Sequence, residues 1–267
     1  MTTSTALPVS PTLRERRPPS AIRDIALVTR RNLRRIRRTP RLLVASSVQP
    51  VVFTLLFRYV FAGSIHIPGE SYADYLLPGI LVTATLFGAT TAVAMAADLS
   101  TGMIDRFRSL PMTRSAVLTG RCLADLARSA IVVALVLAVG TLVGFRFRNG
   151  LPGALGALGL TFAFAFAFMW LYALLGMLMK DPETAQLATI VPTFTFVLAS
   201  SVFVPVQNMP GWLQAFARNQ PISVTVDTVR GLAEGGPTGS FAWQAGLWII
   251  GFIAVFGGLA IGLYRRA

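Results

Sequence analysis

Charged residues punctuate the chain and leave long apolar stretches between them. No Asp, Glu, Lys or Arg occurs in 75–97, 129–145, 149–179, 184–217 or 235–264, and 42–62 is apolar except for Arg58 near its far end. A helix needs about 20 mostly apolar residues to cross the hydrocarbon core. The pattern therefore predicts six transmembrane helices, over 42–62, 75–97, 117–145, 153–179, 184–204 and 241–264. The third run is short by itself, and the helical pattern of Ser115 to Arg128 extends it into the headgroup region. In the fourth, Phe162, Phe164, Phe166 and Phe168 alternate with Ala, a strand-like period. The uncharged stretch around them far exceeds the roughly 9–11 residues of a barrel strand, so the helical reading prevails. On a helix Phe162, Phe166 and Trp170 share one face, with Phe164, Phe168 and Tyr172 nearly opposite. The first face is read either as a path for an apolar substrate or, the commoner use of aromatics, as packing against lipid and neighbouring helices. The predicted fold class is an all-α polytopic membrane protein, with one continuous membrane domain over 20–267.

Ahead of the first span lies a different pattern. Residues 1–19 are rich in Ser, Thr, Pro and Arg and read as a disordered basic tail. From Ser20 to Arg38, Ile22, Ile25, Ala26, Leu33 and Ile36 form a helical stripe among Arg23, Arg30, Arg31, Arg34, Arg35, Arg37 and Arg38. Such a helix lies along the cytoplasmic interface, its stripe in the acyl boundary and its guanidinium groups at anionic headgroups. Pro40 then ends it and turns the chain into the first span. A nucleic-acid partner for this cluster is not expected, because membrane lipid is the nearer polyanion. The layout lacks the short basic region and apolar run of a cleavable signal peptide; an Arg- and Ser-rich organelle transit peptide is the compositional rival.

Composition supports a bilayer as solvent. Of 267 residues 54% are apolar and 13% charged, with a net charge of +13, whereas soluble domains carry about 25% charged residues. Placement of the cations sets the orientation. With the N-terminus in the cytoplasm, 19 of the 24 Lys and Arg fall inside, 11 of them before the first span, and only Arg58, Arg146, Arg148, Arg218 and Arg230 fall outside. An N-in, C-in topology follows.

Two connections carry more information than ordinary loops. The cytoplasmic one, DLSTGMIDRFRSLPMTRSAVLTG from Asp98 to Gly120, sets Asp105, Arg106 and Arg108 beside Ile104, Phe107 and Leu110 and is closed by Pro111. It reads as a short amphipathic helix able to pass on a push from a soluble partner, or as a polar loop held by headgroups. The outer segment from Phe203 to Leu232 contains Pro205, Pro210 and Pro221, an amphipathic stretch from Trp212 to Arg218, then Asp227 and Arg230. It is too polar for a span and too apolar for a free loop, which predicts short re-entrant helices with Trp212 at interface depth. The pairs Gly140 and Gly144, and Gly258 and Gly262, have small-xxx-small spacing and read as packing within the subunit.

Missing chemistry narrows the function. The one lysine, Lys180, is followed by Asp181 and Pro182, so the chain has no nucleotide-binding P-loop. A single Cys122 and a single His66 offer no disulfide, metal site or nucleophile–base pair. Asp74, Asp98 and Asp125 read as lying near span ends or in the cytoplasmic connection. Proton-coupled transporters usually keep ionisable groups at the midplane. The chain is thus read as a non-enzymatic subunit driven by a separate motor, with an ion-coupled secondary transporter or a membrane scaffold protein as alternatives.

Specific residues resemble the permeases of ABC type-2 exporters, in particular the daunorubicin-resistance (DrrB-like) branch. They are QPVVFTLLFRYVFAGSI (Gln49 to Ile65), YLLPGIL (Tyr75 to Leu81), GMIDRFRSLPM (Gly102 to Met112) and VPVQNMPGWLQAFARNQPIS (Val204 to Ser223). The last departs from the branch's Asn-Pro pattern by one residue, at Asn219, Gln220 and Pro221. The resemblance implies a permease pair, from one chain or two related ones, bound to two ATPase chains in a bacterial plasma membrane. ATP and magnesium would bind to the ATPases, with no cofactor or metal in this chain. The 20–38 helix would be the interface helix. Gly102 to Met112 would enter a groove on the ATPase, with Asp105, Arg106 and Arg108 as polar contacts, Phe107 and Leu110 as anchors and Pro111 as the stop. The implied cargo is an apolar drug, antibiotic or lipid.

Overall fold

The computed structural model describes residues 21–38, 40–61, 71–87, 90–101, 114–236 and 238–266. Among these residues the chain forms eleven α-helices and no strand. The helix α1 (Ala21–Arg38) stops where the sequence predicts, and α2 (Pro40–Leu56) begins on a proline, whose missing N–H is no loss in a first turn. α2 runs on into a π-helical turn, Phe57–Phe61. The second apolar stretch is divided. α3 (Tyr72–Leu86), whose Ser71 cap accepts from the Ala73 N–H, ends at Phe87, and α4 (Thr90–Ser100) follows.

The third stretch is one helix with its polar extension, α5 (Arg114–Leu142), as expected. The aromatic fourth stretch is α6 (Gly150–Met179), helical throughout. α6 is apolar on all sides, and a helix of that kind belongs inside a bundle. It packs against α3, α4, α5 and four helices still to come, α7 (Pro182–Leu198), α9 (Pro221–Glu234), α10 (Gly239–Phe252) and α11 (Gly258–Arg266). Between α6 and α7 the turn is local chemistry. Lys180 takes the left-handed conformation (φ 59°) and its N–H closes on the Gly176 carbonyl. Asp181 caps α7 by accepting from the Thr184 N–H at 2.7 Å, and Pro182 opens the helix.

Four stretches among the described residues are long and apolar enough to cross a membrane: Tyr72–Ser100, Leu118–Leu142, Gly150–Met179 and Phe241–Tyr264. They coincide with four of the six expected spans. α2 and α7 are 17 residues each. The fifth expected span, 184–204, is helical only to Leu198; residues 199–204 form irregular backbone with Ser200, Ser201 and Val202 buried. Beyond it lies α8 (Gly211–Asn219), with Trp212 exposed. α9 is enclosed by α3, α6 and α10, with every residue from Pro221 to Val226 buried.

The glycine pairs divide in their use. A Cβ on Gly140 would strike Leu77 of α3, so that glycine serves packing within the chain. Gly144 lies in a turn at φ 110°, and Gly258 and Gly262 have no neighbour within reach of a Cβ.

Candidate functional site

One end of the bundle, the inner end in the topology expected from the sequence, is built on α5. Thr29 of α1 donates through Oγ1 to the Gly120 carbonyl at 3.1 Å, and Val28 is buried over Gly120, where a Cβ would lie 2.8 Å from the valine Cβ. The predicted stripe is therefore split. Ile25 is half-buried, with its carbonyl beside Gly120, while Ile22 and Ala26 stay exposed beside Arg23, Arg30, Arg31 and Arg34, all exposed. Arg35 belongs to the same helix, with its side chain outside the described residues.

Asp105, Arg106, Phe107, Arg108, Leu110 and Pro111 also lie outside the described residues. The helices on either side of them meet through charge. Arg121 of α5 pairs with Asp98 of α4 and also reaches the Met95 sulfur at 3.9 Å. One turn along α5, Asp125 accepts from Thr91 and, at 3.1 Å, from Thr90; the Arg128 Nε stands 3.9 Å from it. Asp98, Arg121, Asp125 and Arg128 are each less than a tenth exposed. Asp125, which the sequence reading set near a span end or in the cytoplasmic connection, sits within Leu118–Leu142, and its partnership with α4 was not singled out from the sequence. The signal was present, since Arg121, Asp125 and Arg128 at offsets 0, 4 and 7 share one helical face.

Above this junction the divided second span leaves backbone to satisfy. The Tyr172 hydroxyl donates to the Leu86 carbonyl at 3.2 Å and lies 2.9 Å from the Thr193 hydroxyl. Of the aromatic face on α6, Trp170 is buried against Met95, Leu118, Met177 and Tyr264. Phe166, half-buried, meets its ring edge-on at 6.1 Å. Phe162 is half-buried at the margin of the main core, which holds Phe164, Phe168 and Tyr172 from the opposite face.

The opposite end, the outer end in that expected topology, carries a second polar cluster. Arg230 of α9 donates to the Tyr75 carbonyl and the Ser201 carbonyl, each at 3.1 Å, and to Asp227 at 2.6 Å, with its guanidinium 3.7 Å from the Tyr75 ring centre. The Tyr75 hydroxyl donates to the Ser201 carbonyl at 2.8 Å and that of Tyr72 to the Phe203 carbonyl at 3.1 Å. Gln220 donates to the carbonyls of Phe196 and Ala199, at 3.0 and 2.8 Å. Burial pushes the Asp227 carboxyl up from the usual carboxylate range, against the pull of Arg230 and of the Ser201 hydroxyl, which donates to it at 2.8 Å. At the opposite end the Asp181 carboxyl is held below that range by the Thr184 N–H. Arg148 closes the outer side by pairing with Asp74. Among the described residues no group of three His, Cys, Asp or Glu side chains is placed to hold a metal.

The profile of the ABC-2 type transporter family matches residues 23–233, from the start of α1 almost to the end of α9. The chain belongs to this family. This ABC-2 permease is 33% identical over 231 residues to the daunorubicin resistance ABC transporter permease protein DrrB1 of Streptomyces coeruleorubidus, covering 85% of this chain and 81% of that one. It is 30% identical over 254 residues to the probable doxorubicin resistance ABC transporter permease protein DrrC of Mycobacterium tuberculosis, covering 90% and 88%. The doxorubicin resistance permease DrrB of the same bacterium is 27% identical over 223 residues. The permease is thus a membrane protein of the ABC exporter type, and its buried inner junction and outer cluster both lie within the matched region.

Proposed function

We propose that this permease is the membrane-spanning, non-catalytic subunit of an ATP-driven exporter. Two copies, or this chain and a related one, pair in a bacterial plasma membrane on two ATPase chains that bind ATP and magnesium. The observation that carries the reading is the similarity to drug-resistance permeases over more than four fifths of the chain. The lack of a P-loop in this sequence agrees with it. Each copy crosses the membrane six times with both termini inside; α2 with its π turn supplies the first crossing, and α7 with the backbone after it the fifth. α1 lies along the inner surface. Asp105, Arg106, Phe107, Arg108, Leu110 and Pro111 form the element that enters the ATPase.

Closure of the ATPases on ATP pushes this element and α1, narrows an inward-facing cavity between the permeases and releases cargo outward. The cargo class is an apolar drug, antibiotic or lipid-like compound, for which Phe162, Phe166 and Trp170 line the path. The test uses inverted vesicles containing the permease and its ATPase, with daunorubicin as probe. Accumulation should require ATP and the ATPase, and Arg106→Glu with Arg108→Glu should weaken both ATPase association and accumulation. Accumulation that persists without ATP and collapses with the proton gradient would replace this reading by secondary transport. Alanine at Phe162, Phe166 and Trp170 should lower drug-stimulated ATP hydrolysis more than alanine at Phe164, Phe168 and Tyr172; equal losses would assign both faces to packing.

A further inference from the structure

α4 packs against α6 and α7 and, less extensively, against α5, and the means of attachment differ. Against α6 the attachment is close packing at the backbone level, since a Cβ on Gly176 would collide with the carbonyl of Ala92. Against α5 it is polar. The Asp98–Arg121 pair and the bonds from Thr90 and Thr91 to Asp125 run from side chain to side chain. Bonds of this kind are an expensive way to join two apolar helices, because every ion must be desolvated, and well-packed apolar side chains of similar volume often hold as well or better. The best attested use of such groups is to fix register, which apolar surfaces leave free to slide. The divided second span adds a further point. α3 is tied to the outer cluster by Tyr72 and Tyr75, whereas α4 is tied to α5 by Asp98.

The geometry points to Asp98, Arg121 and Asp125 as positioning residues of the transport cycle. They fix the register of α4 on α5, so that a displacement delivered between Ser100 and Arg114 moves both helices as one body, and α3 keeps its outer attachments. This rests on the coupling reading given under the proposed function, which places the ATPase contact in that connection. It assigns a role to side chains away from the contact itself. A displaced α4 that slips against α5 spends ATP without moving cargo; that is the defect to look for.

The experiment measures three quantities for each variant in the same inverted vesicles: ATPase retained, ATP hydrolysed and daunorubicin accumulated. Asp98→Arg alone and Arg121→Asp alone should retain the ATPase and lower daunorubicin moved per ATP by about tenfold, in the range seen for residues that modulate coupling between sites. The double exchange, Asp98→Arg with Arg121→Asp, should return the ratio to within about twofold of the parent, because the pair is restored. Should the single variants fail to accumulate in the membrane, the apolar double Asp98→Leu with Arg121→Leu decides. It removes the ions without leaving one unpaired and should remain folded with the ratio still low. An apolar double with the parent's ratio would overturn the assignment while leaving the coupling reading intact. A parent complex that shows no ATP-dependent accumulation would remove the coupling reading, and this inference with it.

Discussion

The two ends of the bundle both bury charge, and they use it differently. At the outer end the side chains serve backbone. Arg230, Tyr72, Tyr75 and Gln220 all donate to carbonyls, four of them in the 196–203 stretch where α7 has ended or is ending. Without water, each such carbonyl must find a protein donor, and irregular backbone is tolerated at membrane depth only under this condition. At the inner end the side chains serve one another, between helices that are regular at the contact. The outer cluster is a requirement of the fold. The inner junction adds little that apolar residues would not supply, so its chemistry speaks for position.

Breaking the outer cluster should therefore have the larger effect on stability. Arg230→Met removes three hydrogen bonds and leaves the half-buried Asp227 without its guanidinium, which should cost about 2–4 kcal/mol, since hydrogen bonds to charged groups are worth about 1.5–3 kcal/mol each. Thermal unfolding of the purified permease measures it, and an unchanged midpoint would place the outer cluster in the same class as the inner junction. Next comes the seam between α4 and α6. Gly176→Ala should cost about 1–3 kcal/mol by overpacking against the Ala92 backbone. In contrast with the Asp98 and Arg121 variants, it should lower stability and transport together rather than transport per ATP alone.

Tyr172→Phe sharpens the contrast from the middle of the molecule, because Tyr172 serves the Leu86 carbonyl as the outer tyrosines serve theirs. Its expected loss is about 1–2 kcal/mol, read as a shift in denaturant midpoint at constant slope. The smallest effect belongs to Asp181, fully solvated. Asp181→Ala should speed hydrogen exchange at the Thr184 amide and leave the unfolding midpoint where it is. The anion supports the cap fully above the ordinary carboxylate range, and the support fades as pH falls through its lowered folded value. Protection of the Thr184 amide that ignores pH would show that the Asp181 carboxylate is not what holds this amide.

What the sequence made legible depended on whether local chemistry decided the matter. α5 and α6 were readable because uncharged length and helical period are local, and the stop at Arg38 was readable from Pro40. The α6–α7 turn is equally local, although only the structure shows Lys180 in the left-handed conformation that ends the helix. The early end of α7 was hidden, because residues 199–204 are as apolar as a span and leave the helix only because α3 and α9 supply their hydrogen bonds. The partnership of Asp125 was hidden for a related reason. Read along the chain it borders an apolar run; read around α5 it faces Thr90 and Thr91, which lie more than 30 residues earlier. The split of the α1 stripe followed from Gly120, a residue whose significance is the absence of a side chain opposite Val28.

Lys180 gives the turn after α6 a use in the laboratory. The chain contains one lysine, and the structure places it exposed at a bundle end with its amine clear of any ion pair described there. Apart from the chain's own terminal amine, an acylating reagent has a single target. Added to intact cells or to inverted membranes, a reagent that cannot cross the bilayer converts that one nitrogen into a mark of sidedness, and the whole orientation can be read from a single covalent adduct.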